Sequence, residues 1–180
     1  PIRYIEHHRA HLASAFFSSP FEEAAVVSID GSGDFSTVMI GKGKRNQIEV
    51  LESQDFPISI GLFYTAFTQF LGFPYYGDEY KVMGLAPYGE PEFVEFFRRM
   101  IRPKGNTFEL NLDYFTHHKQ GVRMSWNDGA PIVEPFHSPL LEKQLGPMRK
   151  KGEPMTPRHD NIARSLQAAT EEIILKIHKI

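Results

Sequence analysis

The stretch that most restricts the fold is an apolar run, Ala24-Ala25-Val26-Val27-Ser28-Ile29, ending in Asp30-Gly31-Ser32-Gly33-Asp34. Gly and Asp are what a tight turn requires, and a second apolar run, Val38-Met39-Ile40, follows. Residues 24–30 and 35–42 therefore read as two antiparallel strands joined by the glycine turn, with a third strand near 47–53. Ala10-His11-Leu12-Ala13-Ser14-Ala15-Phe16 predicts a helix over 7–18, closed by Ser18-Ser19-Pro20. The expected class is α/β or α+β, a sheet with helices packed against one face.

Further elements follow from periodicity and punctuation. Ser59 is a fair N-cap for a helix whose apolar positions are Leu62, Phe63, Ala66, Phe67, Phe70 and Leu71, with Gly72 as its stop. A short helix is expected over Glu79–Leu85, halted before Pro87. Pro91 is expected to open another helix, with Phe93, Val94, Phe97, Met100 and Ile101 on one stripe. Phe108, Leu110 and Leu112 alternate as in a strand. The proline- and glycine-rich stretch 121–157 reads as loop around one short helix near Leu140. Residues 160–180 read as an amphipathic helix with Ile162, Leu166, Ala169, Ile173 and Ile177 on one stripe. That helix ends on apolar residues, and the chain starts almost inside its histidine motif. Both ends therefore read as cuts, so residues 1–180 are expected to be one undivided fragment of a longer protein.

Composition narrows the function classes. The 180 residues carry a net charge of −2, which argues against a protein built to wrap nucleic acid. No apolar run approaches the roughly 20 residues that cross a bilayer. Cysteine is absent, so there is no disulfide and no thiolate metal site, which fits a cytoplasmic protein.

The chemistry-bearing residues sit early. His7 and His11 are four apart, so on a helix their imidazoles stack on one face, one turn apart. Imidazole nitrogen is a good donor for iron, zinc or nickel, and Asp30 at the strand end would complete a two-histidine, one-carboxylate set. Each feature alone is commonplace: many helices carry HxxxH, and many hairpins turn on Asp and Gly. Lys81, in Tyr80-Lys81-Val82-Met83-Gly84-Leu85, offers a mobile positive charge for a phosphate or carbonyl oxygen, or a plain solvated lysine. His117-His118 read as surface residues, Arg149-Lys150-Lys151 as a basic run that either meets a phosphate or, more commonly, is simply solvated, and Phe56, Tyr64, Tyr75 and Tyr76 as core or cleft packing.

Four strings together resemble one family. They are His7-His8-Arg9-Ala10-His11-Leu12-Ala13-Ser14-Ala15-Phe16, Asp30-Gly31-Ser32-Gly33-Asp34, Lys81-Val82-Met83-Gly84-Leu85-Ala86-Pro87-Tyr88-Gly89, and Arg158-His159-Asp160-Asn161-Ile162-Ala163-Arg164-Ser165-Leu166-Gln167. In order and spacing they are similar to the O-carbamoyltransferases of antibiotic and nodulation-factor biosynthesis. The resemblance implies part of an actin/hexokinase-like, ATPase-type domain with a mixed sheet. It implies that a further, C-terminal domain makes carbamoyl adenylate from carbamoyl phosphate and ATP. The actin-like domain then passes the carbamoyl group to a hydroxyl of a small acceptor, a sugar, an antibiotic or a lipo-oligosaccharide, near a bound iron(II). His7, His11 and Asp30 match metal-binding positions, and a further aspartate ligand belongs to a later part of the pattern. The family's N-terminal segment, with another His-Asp motif, has no counterpart here. Backbone N–H groups of Gly31, Ser32 and Gly33 would cradle phosphate oxygens, with Asp30 and Lys81 as catalytic groups. Such an enzyme needs no nucleic acid and no membrane; this fragment alone is expected to be inactive.

Two other readings stay open. One is an ATP-dependent phosphotransferase or ATPase of the same fold, which would use the Asp30 turn but not the histidines. The other is a non-catalytic partner-binding module with a purely structural histidine helix.

Overall fold

Alternation of apolar residues produces the central sheet in the computed structural model, which describes residues 2–127 and 129–177. Strands β1 (Glu23–Gly33), β2 (Ser36–Lys44) and β3 (Gln47–Asp55) pair antiparallel in the order β1-β2-β3. Because side chains alternate across a strand, the sheet has two apolar faces. On one face Val26 and Met39 meet Leu12 and Phe16 of helix α1 (His7–Phe17). On the other, Val38 and Ile40 join the main core. Helices thus cover both faces of the sheet rather than the single face expected, because β2 is apolar on both sides.

The main core is built by helices α2 (Ile60–Phe70), α3 (Glu79–Leu85) and α4 (Val94–Met100) against the terminal helix. Ser59 caps α2 by accepting the Leu62 N–H at 3.0 Å. Phe67 and Phe97 pack with ring centroids 4.7 Å apart, and Phe63 lies edge-on to Phe97 at 6.0 Å. Each such ring contributes about 1.5–3 kcal/mol of burial. Two short hairpins follow, β4 (Ile101–Lys104) with β5 (Thr107–Leu110), then β6 (Met124–Asn127) with β7 (Ala130–Val133). Helix α5 (His117–Gln120) lies between them, and α6 (Leu140–Leu145) precedes α7 (Pro157–Ile177). The domain is α/β. All strand pairs among the described residues are antiparallel, so none supplies the parallel pairing of a mixed sheet.

Several local expectations need correction. The Asp30–Gly33 stretch is not the turn: β1 runs on through Gly33 with a bulge after Ile29, and the chain turns at Asp34 and Phe35. Asp34 takes the left-handed conformation there, with φ of 53°. Helix α4 starts at Val94 rather than at Pro91, because the preceding chain is tied to α7. Asn161 accepts the Glu90 N–H and Ser165 Oγ the Phe93 N–H. The 121–157 stretch contains the β6–β7 hairpin, held where Pro131 accepts the Tyr76 N–H at 3.0 Å. The apolar stripe of α7 needs no outside surface to cover it: Ile162, Leu166, Ala169, Ile173 and Ile177 are all buried within the chain. His117 is buried, its Nε2–H donating to the Pro57 carbonyl at 2.9 Å. No helix among the described residues is long and apolar enough to cross a membrane.

Candidate metal centre and adjoining cleft

Helix α1 is anchored by residues from the hairpin it covers. Glu6 gives the first turn no side-chain cap; the Asp34 carboxylate accepts the His7 N–H at 2.9 Å instead. His8 is fully buried, with Nε2 2.9 Å from the Ser36 carbonyl and Nδ1 2.8 Å from Ser28 Oγ. A carbonyl only accepts, so His8 Nε2 carries the proton and Nδ1 accepts from the serine hydroxyl. These bonds fix the rotation of α1, and His7 and His11 consequently share the face turned toward Asp30.

Asp30 is aimed by the β1 bulge. One carboxylate oxygen accepts the Gly31 N–H at 2.6 Å, and the other lies 2.9 Å from His7 Nε2 and 3.6 Å from His11 Nε2. Partial burial raises the carboxyl pKa, but the His7 hydrogen bond, the Gly31 N–H and the charges of both histidines outweigh it and hold it below the usual value. The start of α2 backs this segment. A Cβ on Gly61 would lie 2.7 Å from the Gly31 nitrogen, and Ser59 Oγ donates to the Gly31 carbonyl at 2.6 Å.

The three groups form a donor set that protons serve poorly. His7 Nε2 lies 2.9 Å from Asp30 Oδ2 and also 2.9 Å from His11 Nε2. One N–H on that nitrogen cannot point along both directions. A single cation facing all three lone pairs serves them together. Two donors at right angles on an ion, each about 2.1 Å from it, stand about 3.0 Å apart, close to both 2.9 Å separations. His7, His11 and Asp30 are the cluster of three such groups among the described residues able to hold an ion, with all donor atoms within 4.8 Å of one another.

A cleft of about 570 Å³ opens beside Asp30. Gly31, Ser32, Gly61, Thr65 and Glu79 line it, together with Val122 and with Met124 of β6. Thr65 Oγ1 donates to Glu79 at 2.6 Å, whereas the buried Thr170 hydroxyl on the cleft wall has no hydrogen-bond partner. The three residues assigned to phosphate have different surroundings. Gly31 and Ser32 face the cleft, although the Gly31 N–H is engaged by Asp30, and Gly33 lies beneath the His7 ring. Lys81 does not line this cleft; it pairs with Asp78 at 2.6 Å beside a separate depression. The roles of His8, Asp34 and Gly61 are not legible in the sequence, nor is the bond from Ser59 to the Gly31 carbonyl. His8 alone had a signal, since it lies four and eight residues before the apolar Leu12 and Phe16.

With this geometry in place, comparison with known proteins is decisive. Residues 1–180 match the family model described as Carbamoyltransferase N-terminus. The chain belongs to the carbamoyltransferase family. This carbamoyltransferase domain is 39% identical over 179 residues to protein sll1178 of Synechocystis, covering 98% of the chain and 27% of that protein. It is 33% identical over 176 residues to nodulation protein NolNO of Sinorhizobium fredii, covering 98% of the chain and 23% of that protein. With nodulation protein NolO of Bradyrhizobium diazoefficiens it shares 37% identity over 171 residues, 94% of the chain and 27% of that protein. The carbamoyltransferase domain thus spans about a quarter of the length of these relatives.

Proposed function

We propose that the intact protein carrying this domain transfers a carbamoyl group from carbamoyl adenylate to a hydroxyl of a small-molecule acceptor. The observation that carries this reading is the convergence of His7, His11 and Asp30 at the edge of a cleft, in a chain of this family. The candidate acceptors are a sugar, an antibiotic or a lipo-oligosaccharide. ATP and carbamoyl phosphate are the co-substrates, combined by an adenylate-forming domain of the same protein, in the cytoplasm. The actin/hexokinase-like architecture belongs to the same proposal.

His7, His11 and Asp30 would hold iron(II), with a further aspartate from outside these residues. An ion held there would supply Lewis acidity toward a carbamoyl or phosphate oxygen. The chain's own groups then do the positioning. Ser32 and Gly31 line the cleft floor next to Asp30 and bring backbone close to the donor's phosphate. Tyr64 and Thr65 offer polar contacts for a hydroxylated acceptor, and Val122 and Met124 offer it apolar ones. In the transfer, the acceptor oxygen bonds to the carbamoyl carbon, the bond from that carbon to the phosphate oxygen breaks, and AMP leaves. The hydroxyl proton is released. Lys81, held by Asp78, acts on this site only if α3 moves, since it faces another depression.

The test supplies the intact protein with ATP, carbamoyl phosphate, iron(II) and a panel of hydroxylated acceptors, with mass spectrometry of the products. His11→Ala is expected to lower acceptor carbamoylation at least about 100-fold while adenylate formation continues. The 180 residues alone, given the same mixture, are expected to yield no product. Full transfer by the His7→Ala, His11→Ala double variant overturns the reading. A phosphorylated acceptor formed with magnesium and ATP alone would instead favour a phosphotransferase of the same fold.

A further inference from the structure

Two basic stretches far apart in sequence meet on one aromatic ring. After α2 the chain turns at Gly72 and lays Phe73, Pro74 and Tyr75 against residues 149–152. The Arg149 guanidinium carbon lies 5.4 Å from the Phe73 ring centroid, and Lys81 Nζ lies 5.6 Å from the same centroid. Lys151 Nζ lies 4.5 Å from the Tyr75 centroid and donates to the Tyr75 hydroxyl. With Asp78 and Gly152 these residues line a depression of about 200 Å³ that shares no lining residue with the cleft beside Asp30.

The cations are fixed in place without being used up. Arg149 bonds the Leu71 carbonyl through one terminal nitrogen and the Glu153 carbonyl through Nε and the other, so two of its five N–H groups remain. Lys81 pairs with the Asp78 carboxylate and Lys151 donates to the Tyr75 hydroxyl, while each ammonium has three N–H groups. Three cations therefore face one carboxylate, that of Asp78. The Glu153 carboxylate, which is not part of the lining, accepts the Lys150 N–H and keeps its negative charge. A chain of net charge −2 has no general reason to gather cations here.

We propose that this depression binds a phosphate group, either free phosphate or the head of a small phosphorylated molecule. Donors approach from α3 on one side and from the 149–152 loop on the other, which suits a tetrahedral oxyanion better than a planar carboxylate. Its volume lies below the roughly 300–1,000 Å³ of drug-sized pockets, so it takes a compact group rather than a whole nucleotide. The rings of Phe73 and Tyr75 give the cations apolar walls to pack against and hold their positions. This site is independent of the proposed carbamoyl transfer and outlives its failure.

The experiment is calorimetric titration of the intact protein, freed of metal by chelation, with inorganic phosphate and with glycerol phosphate at low ionic strength. One site per chain is expected, weakened about ten-fold by Lys151→Gln and by Lys81→Gln, and more by the two together. Tyr75→Phe, which keeps every charge, is expected to weaken it less, and circular dichroism verifies that each variant is folded. Tighter binding of glycerol phosphate assigns the site to a phosphate ester; equal or weaker binding assigns it to free phosphate. Unchanged affinity in the double lysine variant overturns the proposal, as does absence of binding or tighter binding of a glutamate-rich peptide.

Discussion

The imidazole of His7 occupies the space a side chain at residue 33 would need: a Cβ on Gly33 would lie 2.0 Å from His7 Cδ2. Real Cβ atoms never approach so closely, so glycine here is a condition for the histidine's position. Gly33→Ala is expected to displace His7 and lower metal affinity about 10–100-fold with little loss of global stability. Gly31→Ala meets nothing within 4 Å and is the control that keeps metal affinity. Competition titrations with a metal-sensitive dye on both variants give the comparison.

His8 and His11 should separate cleanly. His8→Ala removes a buried ring and strands the Ser36 carbonyl, at an expected cost of about 2–4 kcal/mol in urea unfolding. His11 is exposed and bonded only within the donor set, so His11→Ala in the metal-free protein should stay within about 0.5 kcal/mol. Equal costs would refute the division into a structural and a metal-facing histidine.

Asp34 is the cap that α1 lacks in its own sequence. Asp34→Ala is expected to destabilise by about 0.5–2 kcal/mol, losing the His7 N–H acceptor and straining a left-handed position. Asp34→Asn keeps both an acceptor and tolerance of that conformation, so denaturant midpoints should place it close to the parent.

Burial lowers the pKa of His117, His137 and His159 below the usual histidine value. Between the lowered folded values and about 6.5, the unfolded chain binds more protons than the folded one. Stability should therefore be full above about pH 6.5 and fall on acidification toward the lowered values. Urea midpoints from pH 7.5 to 5 test this, and His117→Gln should flatten the slope. A midpoint that rises on acidification would contradict it.

What the sequence discloses depends on how local each cause is. The first hairpin, α2 and α3 were legible because their apolar residues recur at the period of the element and Ser59 and Gly72 mark the ends of α2. The histidine pair was legible for the same reason, since one helical turn aligns residues 7 and 11. The surroundings of His117, Arg149 and the β6–β7 hairpin were not, because partners remote in sequence decide them: Pro57, Leu71 and Tyr76. Asp34 illustrates the same limit in the site. Nothing near it in sequence announces that its carboxylate ends up on the first turn of a helix that precedes it.

The borrowed cap on α1 bears on how firmly the helix is held. Helix α1 buries only His8, Leu12 and Phe16, whereas most of the equally long α2 is buried, and a short helix is marginal by itself. Two of the three candidate donors ride on it, so an ion held as proposed would couple its own binding to the closing of the helix. If the proposed ion is bound, its removal is expected to show first as protease nicking within residues 7–17, ahead of any change in the core around α2 and α7.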